Sequence, residues 1–92
     1  MSVSARRDLD DIAEYIARDS PRRSVTFLAE LLAACRRGAR SPLGYPKANP
    51  PLERFRRIRH RAYVIFYSVE VGGIRVERVA HGARDLEGLF SD

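Results

Sequence analysis

The chain has 92 residues, with seventeen Lys and Arg against twelve Asp and Glu for a formal charge of +5, and an apolar share of 45%. A chain of this length buries a little over ~60% of its unfolded surface, enough for one core and one domain over residues 1–92. That apolar share excludes disorder as the main state.

Cys35 is the only cysteine, so neither an internal disulfide nor a cysteine-built zinc site can form, which favours a reducing compartment. The start, Met1-Ser-Val-Ser-Ala-Arg-Arg7, has no apolar run, and no stretch approaches the ~20 apolar residues of a membrane span. The expected location is the cytoplasm, with no membrane contact. Sixteen of the seventeen cationic residues are Arg, whose planar fork pairs bidentately with carboxylate or phosphate. RNA, DNA and an acidic protein all fit such a surface.

From Ala5 to Asp19, Leu9, Ile12, Ala13 and Ile16 recur at helical spacing and predict an amphipathic helix with Ser4 as N-cap. Asp8, Asp10 and Asp11 suit the positive end of its dipole, and a metal-site reading of Asp10-Asp11 ranks well below that one. Ser20-Pro21 then starts a second helix, Ser20 as cap and Pro21 at the first position. Its stripe is Val25, Leu28, Leu32 and Cys35, widened by Phe27, Leu31 and Ala34, with Gly38 expected just past its end. Five residues between Arg40 and Leu52 are Pro or Gly and predict an irregular connector.

Beyond Phe55 the period changes. Ala62–Val71 is β-branched and aromatic on both faces, as a central strand should be. Gly72-Gly73 reads as a two-residue hairpin turn into a strand over Ile74–Val79, and Arg54–Arg59 is expected to pair on the other side with a bulge. Residues His81–Asp85 then lead to a short C-terminal helix ending near Phe90. The predicted class is α+β: an N-terminal helical hairpin on a twisted antiparallel sheet of three or four strands, closed by a short helix.

No nucleophile elbow, Gly-rich phosphate loop or metal-ligand spacing occurs, so no catalytic set, metal site or cofactor is assigned. The most chemically loaded run is Arg54-Phe-Arg-Arg-Ile-Arg-His-Arg61. On a strand Arg57 and Arg59 would project together, as would Arg54 and Arg56. Such a row could grip partner carboxylates, follow a nucleic-acid backbone, or simply guard an edge strand against aggregation. Tyr63 and Tyr67, with Ile65 between them, read as a core face, and Cys35 as a buried structural thiol.

Taken in order, Ala5-x-x-Asp8-Leu9-x-x-Ile12-x-x-Tyr15-Ile16-Ala17, Ser20-Pro21, Ser41-Pro42-x-Gly44, Tyr63-Val-Ile-Phe-Tyr67 and Arg78-Val-Ala-His-Gly-Ala-Arg-Asp-Leu86 resemble the ParE branch of the RelE/ParE toxins. The resemblance implies the toxin of a type II toxin–antitoxin system, with a ParD-like antitoxin that wraps it. ParE toxins are associated with inhibition of DNA gyrase, and RelE toxins with cleavage of ribosome-bound mRNA. A C-terminal Tyr or His commonly helps the nucleases, and Leu86–Asp92 contains none. The reading is therefore a non-enzymatic gyrase inhibitor. The alternatives are an mRNA endonuclease, the one case that requires nucleic-acid contact, and a non-toxic binding module. Arg57, Arg59, His81 and Arg84 are the expected antitoxin- or target-binding residues. The family begins with a strand before the first helix, and only Met1–Ser4 precede it here, so the sheet is expected to carry an open edge that invites strand addition.

Overall fold

The computed structural model describes residues 1–83 and 86–90, Glu87 by its backbone alone. Helix α1 (Val3–Ala17) and helix α2 (Pro21–Arg40) are followed by strands β1 (Arg56–His60), β2 (Tyr63–Glu70) and β3 (Gly73–His81) and by a 3₁₀ turn, Glu87–Phe90. The strands form one antiparallel sheet in the order β1-β2-β3. Both helices lie on one face of it, the α+β arrangement expected from the alternating periods.

Helix α1 is capped by Ser2, two residues before the expected cap at Ser4. The Ser2 hydroxyl accepts from Ala5 N–H at 2.9 Å and donates to the Glu77 carbonyl at 2.7 Å, while Ser2 N–H donates to the Val76 carbonyl at 2.9 Å. One residue caps the helix and ties it to β3. Ser20 and Pro21 start α2 as expected, Ser20 accepting from Arg23 N–H at 3.1 Å.

The buried row of α2 is Ser24, Phe27, Leu31, Ala34, Cys35 and Gly38, whereas Val25 is 72% exposed. The row through Val25 lies beside this one on the same helix, and two small residues decide between them. Ser24 Oγ donates to the Ala13 carbonyl at 2.6 Å, joining the helices. Gly38 does not end α2 but sits within it, where a Cβ would stand 2.7 Å from Ile58 Cδ1. The glycine lets the helix rest on β1.

Strand β2 is covered on both sides, which accounts for its unbroken apolar run. Ile65 and Tyr67 join Leu9, Ile12, Phe27 and Leu31 beneath the helices. Val64 and Phe66 face a second cluster with Leu52, Phe55, Ala80 and Leu89, supplied by the connector and the 3₁₀ turn. Tyr67 is fully buried and donates its hydroxyl to the Pro42 carbonyl at 2.6 Å, anchoring the connector just after α2. The irregularity expected in β1 lies instead between β2 and β3, where the register shifts at Phe66/Tyr67. The hairpin tip is Val71-Gly72 rather than Gly72-Gly73: Gly73 already pairs with Glu70, and only Gly72 takes a positive φ, +83°.

Asp8 holds α1 against the sheet. Its carboxylate accepts from Arg78 Nε at 2.8 Å and Nη2 at 2.9 Å, and from Val79 N–H at 2.9 Å. Arg78 Nη1 donates to the Leu89 carbonyl at 2.7 Å, so the pair also fastens the 3₁₀ turn. The Asp8 and Arg78 side chains are only 11% and 19% exposed, so removing one partner leaves a poorly hydrated charge. Asp8→Asn should lower unfolding free energy by about 2–4 kcal/mol in urea titrations, whereas Asp10→Asn, two residues on and exposed, should stay within about 0.5 kcal/mol.

Gly38 gives a second test. Alanine there should be nearly neutral, because the tip of Ile58 can swing aside and helix propensity gains about 1 kcal/mol. Gly38→Val should cost about 1–3 kcal/mol, since a branched side chain would overpack the α2–β1 contact.

Candidate functional site

Neither edge of the sheet is fully open. In an antiparallel ladder alternate residues turn both backbone groups to the same side. On β3, Val79 N–H points outward to Asp8 and Gly82 N–H inward to the Ala62 carbonyl at 2.7 Å, which sets the phase. Outward groups of Val76, Glu77 and Val79 are already taken by Ser2 and Asp8. The expected open edge is therefore sealed over its middle by the first turns of α1.

On β1, the connector covers the first half. Ala48 N–H donates to the Phe55 carbonyl at 2.9 Å, Arg57 N–H to the Pro46 carbonyl at 3.0 Å, and Lys47 bridges Arg56. Arg57 and Arg59 are the outward residues of this strand, and no described segment pairs with Arg59. The backbone at Arg59 is thus a short free edge beside two guanidinium groups.

Those two side chains lie on the sheet face away from the helices, since Arg57 and Arg59 stand opposite Phe66 and Val64 of the second cluster. Arg57 is half-buried, and its Nε has no hydrogen-bond partner among the described residues. Arg59 is exposed, and its guanidinium nitrogens lie 3.5 Å from where a Cβ on Gly82 would be. Gly82 therefore makes room for that guanidinium beside the turn after β3. On the same side Arg54 lies over the rings of Phe55 and Phe90, at 4.4 and 5.5 Å from their centroids. Arg54 and Arg56 do not share a face as expected: Arg54 precedes β1, and Arg56 donates to the Tyr45 carbonyl at 2.6 Å on the helical side.

His81 lies elsewhere. It pairs with Tyr63 across the ladder, and the two rings meet edge-on at 5.4 Å on the helical side of the sheet. Its Nδ1 accepts from Ala83 N–H at 3.1 Å, so the neutral ring carries its proton on Nε2. Arg84 lies outside the described residues. Of the four residues singled out in the sequence, the structure brings Arg57 and Arg59 together and separates His81 from them.

Sequence reasoning missed Glu30 of α2. Its Oε1 accepts from His60 Nε2 at 2.8 Å and Arg61 Nε at 3.2 Å, linking α2 to the β1–β2 turn. Arg61 takes a φ of +53° there, an uncommon conformation for a residue with a Cβ. Nothing local in the sequence pairs residues 30 apart. Cys35 is buried as expected, and burial pushes its thiol up, which removes thiolate reactivity. No helix among the described residues is long and apolar enough to cross a membrane.

Two helices on one face of a three-stranded antiparallel sheet, in this chain order, fit the small α+β toxins of type II toxin–antitoxin systems. Within them the chain belongs to the ParE family: the model described as ParE toxin of type II toxin-antitoxin system, parDE, matches residues 1–86. No curated protein matches the chain. Family membership implies an antitoxin partner.

The Glu30 carboxylate is held below the usual range, first by the hydrogen bond from His60 and then by that from Arg61. A depressed acid stabilises the fold at pH values above its unfolded pKa, and that contribution is lost as pH falls through the folded value. Glu30→Gln should therefore melt earlier than wild type at neutral pH, with the two melting curves converging as pH drops into the acidic range.

Proposed function

We propose that this ParE-family toxin is a protein-binding inhibitor of DNA gyrase, and that its antitoxin neutralises it by laying an acidic extended segment along the free end of β1. The observation that carries the reading is the placement of two guanidinium groups, those of Arg57 and Arg59, beside the unpaired strand backbone at Arg59. An added strand supplies backbone hydrogen bonds, and its carboxylates supply the charge-assisted ones. The sealed middle of β3 turns strand addition away from the opposite edge. Gyrase as target rests on what the ParE family is associated with.

The arrangement also supports binding over RNA cleavage. Cutting RNA needs basic groups and a proton-transfer group converging on one phosphate. Arg57 and Arg59 are on one face of the sheet and the His81 ring is on the other.

Arg57→Glu combined with Arg59→Glu should weaken the complex with the antitoxin by at least about 100-fold, while the melting temperature of the toxin stays close to wild type. Unchanged affinity would remove both residues from the interface. In supercoiling assays the purified toxin should stop gyrase, and pre-mixing with antitoxin should restore it; full gyrase activity in a large molar excess of toxin would refute the target.

A further inference from the structure

At the C-terminal end of β3 a cleft of about 200 Å³ opens between the sheet and α1, lined by Asp11, Tyr15, Tyr63 and His81 with Asp8 and Ile12 behind them. It lies on the helical side of the sheet, apart from Arg57 and Arg59. On the sheet side, the Tyr63 ring packs on Phe27 at 5.4 Å and edge-on to His81 at 5.4 Å. Tyr15 and Tyr63 both line the cleft, Tyr15 from α1 and Tyr63 from β2. Tyr15 is 66% exposed, a large aromatic surface left to solvent.

The two carboxylates differ in state. Asp8 is saturated by Arg78 and by Val79 N–H. Asp11, one turn along α1, is exposed and has no ion-pair or hydrogen-bond partner among the described residues. An anionic ligand would meet Asp11 with like charge, and an apolar one would cover that carboxylate without pairing it. A cation satisfies both features, because tyrosine faces attract positive charge and a guanidinium pairs with a carboxylate while stacking on a ring.

We propose that this cleft receives one arginine side chain of the antitoxin, its guanidinium stacked against Tyr15 and Tyr63 and paired with Asp11. The proposal rests on the reading that the antitoxin also engages Arg57 and Arg59. On a chain of net charge +5 a basic residue is repelled from most of the surface, so a local attraction for it is distinctive. Two sites of opposite sign on separate faces admit a partner segment in only one orientation, because reversing it sets like charges against each other.

The toxin alone can be titrated by NMR with N-acetyl-arginine amide, using N-acetyl-citrulline amide as the neutral control of matching shape. Saturable shifts should centre on Asp11, Tyr15, Tyr63 and His81, with arginine favoured over citrulline by about tenfold or more. Asp11→Asn should abolish that preference and leave the melting temperature unchanged. Equal affinity for the two probes, or an undiminished preference in the variant, would overturn the site. Asp11→Asn should also weaken the antitoxin complex by about tenfold. If the arginine probe binds but antitoxin affinity does not move, the occupant is not the antitoxin and the proposal fails. The probe titration does not depend on Arg57 or Arg59, so failure of the β1 reading would show separately, in the double charge reversal.

Discussion

The carboxylate of Asp8 takes two hydrogen bonds from Arg78 and one from the backbone of Val79, and Arg78 passes a further bond to the Leu89 carbonyl. Few arrangements could hold α1 where it is. Two charges taken largely out of water lose several kcal/mol of hydration each, and only short bidentate geometry with the remaining donors satisfied offsets that loss. Here the carboxylate oxygens and each guanidinium nitrogen are engaged, so the pair positions as well as binds. The long-range hydrogen bonding raises the Arg78 pKa, keeping its charge fixed.

Everything at the β3 edge follows from that attachment. With α1 fastened at Asp8 and capped at Ser2, its first turns take up the backbone groups that another strand would use. The same fastening sets the width of the cleft farther along α1, where Asp11 and Tyr15 face Tyr63 and His81. On the opposite edge the connector closes only half of β1. The sheet is therefore asymmetric, with one edge occupied by a helix and the other ending in exposed arginines. Charge at an unpaired strand deters indiscriminate edge-to-edge pairing and still admits a segment of complementary charge.

Period carried much of the fold in the sequence. The helical spacing of Leu9, Ile12 and Ile16, the Ser20-Pro21 start and the two-sided apolar run of β2 are local signals, and the structure follows them. Errors arose where small or polar residues hold core positions. Ser24 and Gly38 carry no hydrophobic signal yet lie in the buried row of α2, which shifted the expected stripe onto Val25. Ser2 serves both cap and sheet, and only the folded chain brings Val76 and Glu77 beside it. The site was half legible. Alternation along a strand put Arg57 and Arg59 together, but His81 had no visible reason to lie across the sheet from them. Asp8 and Arg78 both stood within family-like motifs, and nothing in either motif says that these residues, 70 apart, share two hydrogen bonds while Val79 N–H adds a third to the same carboxylate.

The distribution of charge connects these features. Most arginines lie in water or on one exposed face, where each contributes little to the fold. Arg78 differs from these, withdrawn from solvent and committed to Asp8 and the 3₁₀ turn. Arg57 lies between these cases, half-buried with Nε unpartnered. A donor left in that state costs about 1–3 kcal/mol, and an acceptor that reached it after a small shift of the side chain would recover part of that cost. The fold thus spends its best-formed ion pair on attaching the helix and keeps an imperfectly satisfied arginine at the free edge. That is the physical sense in which a small domain with modest stability reserve can be rigid where α1 meets β3 and receptive where β1 ends.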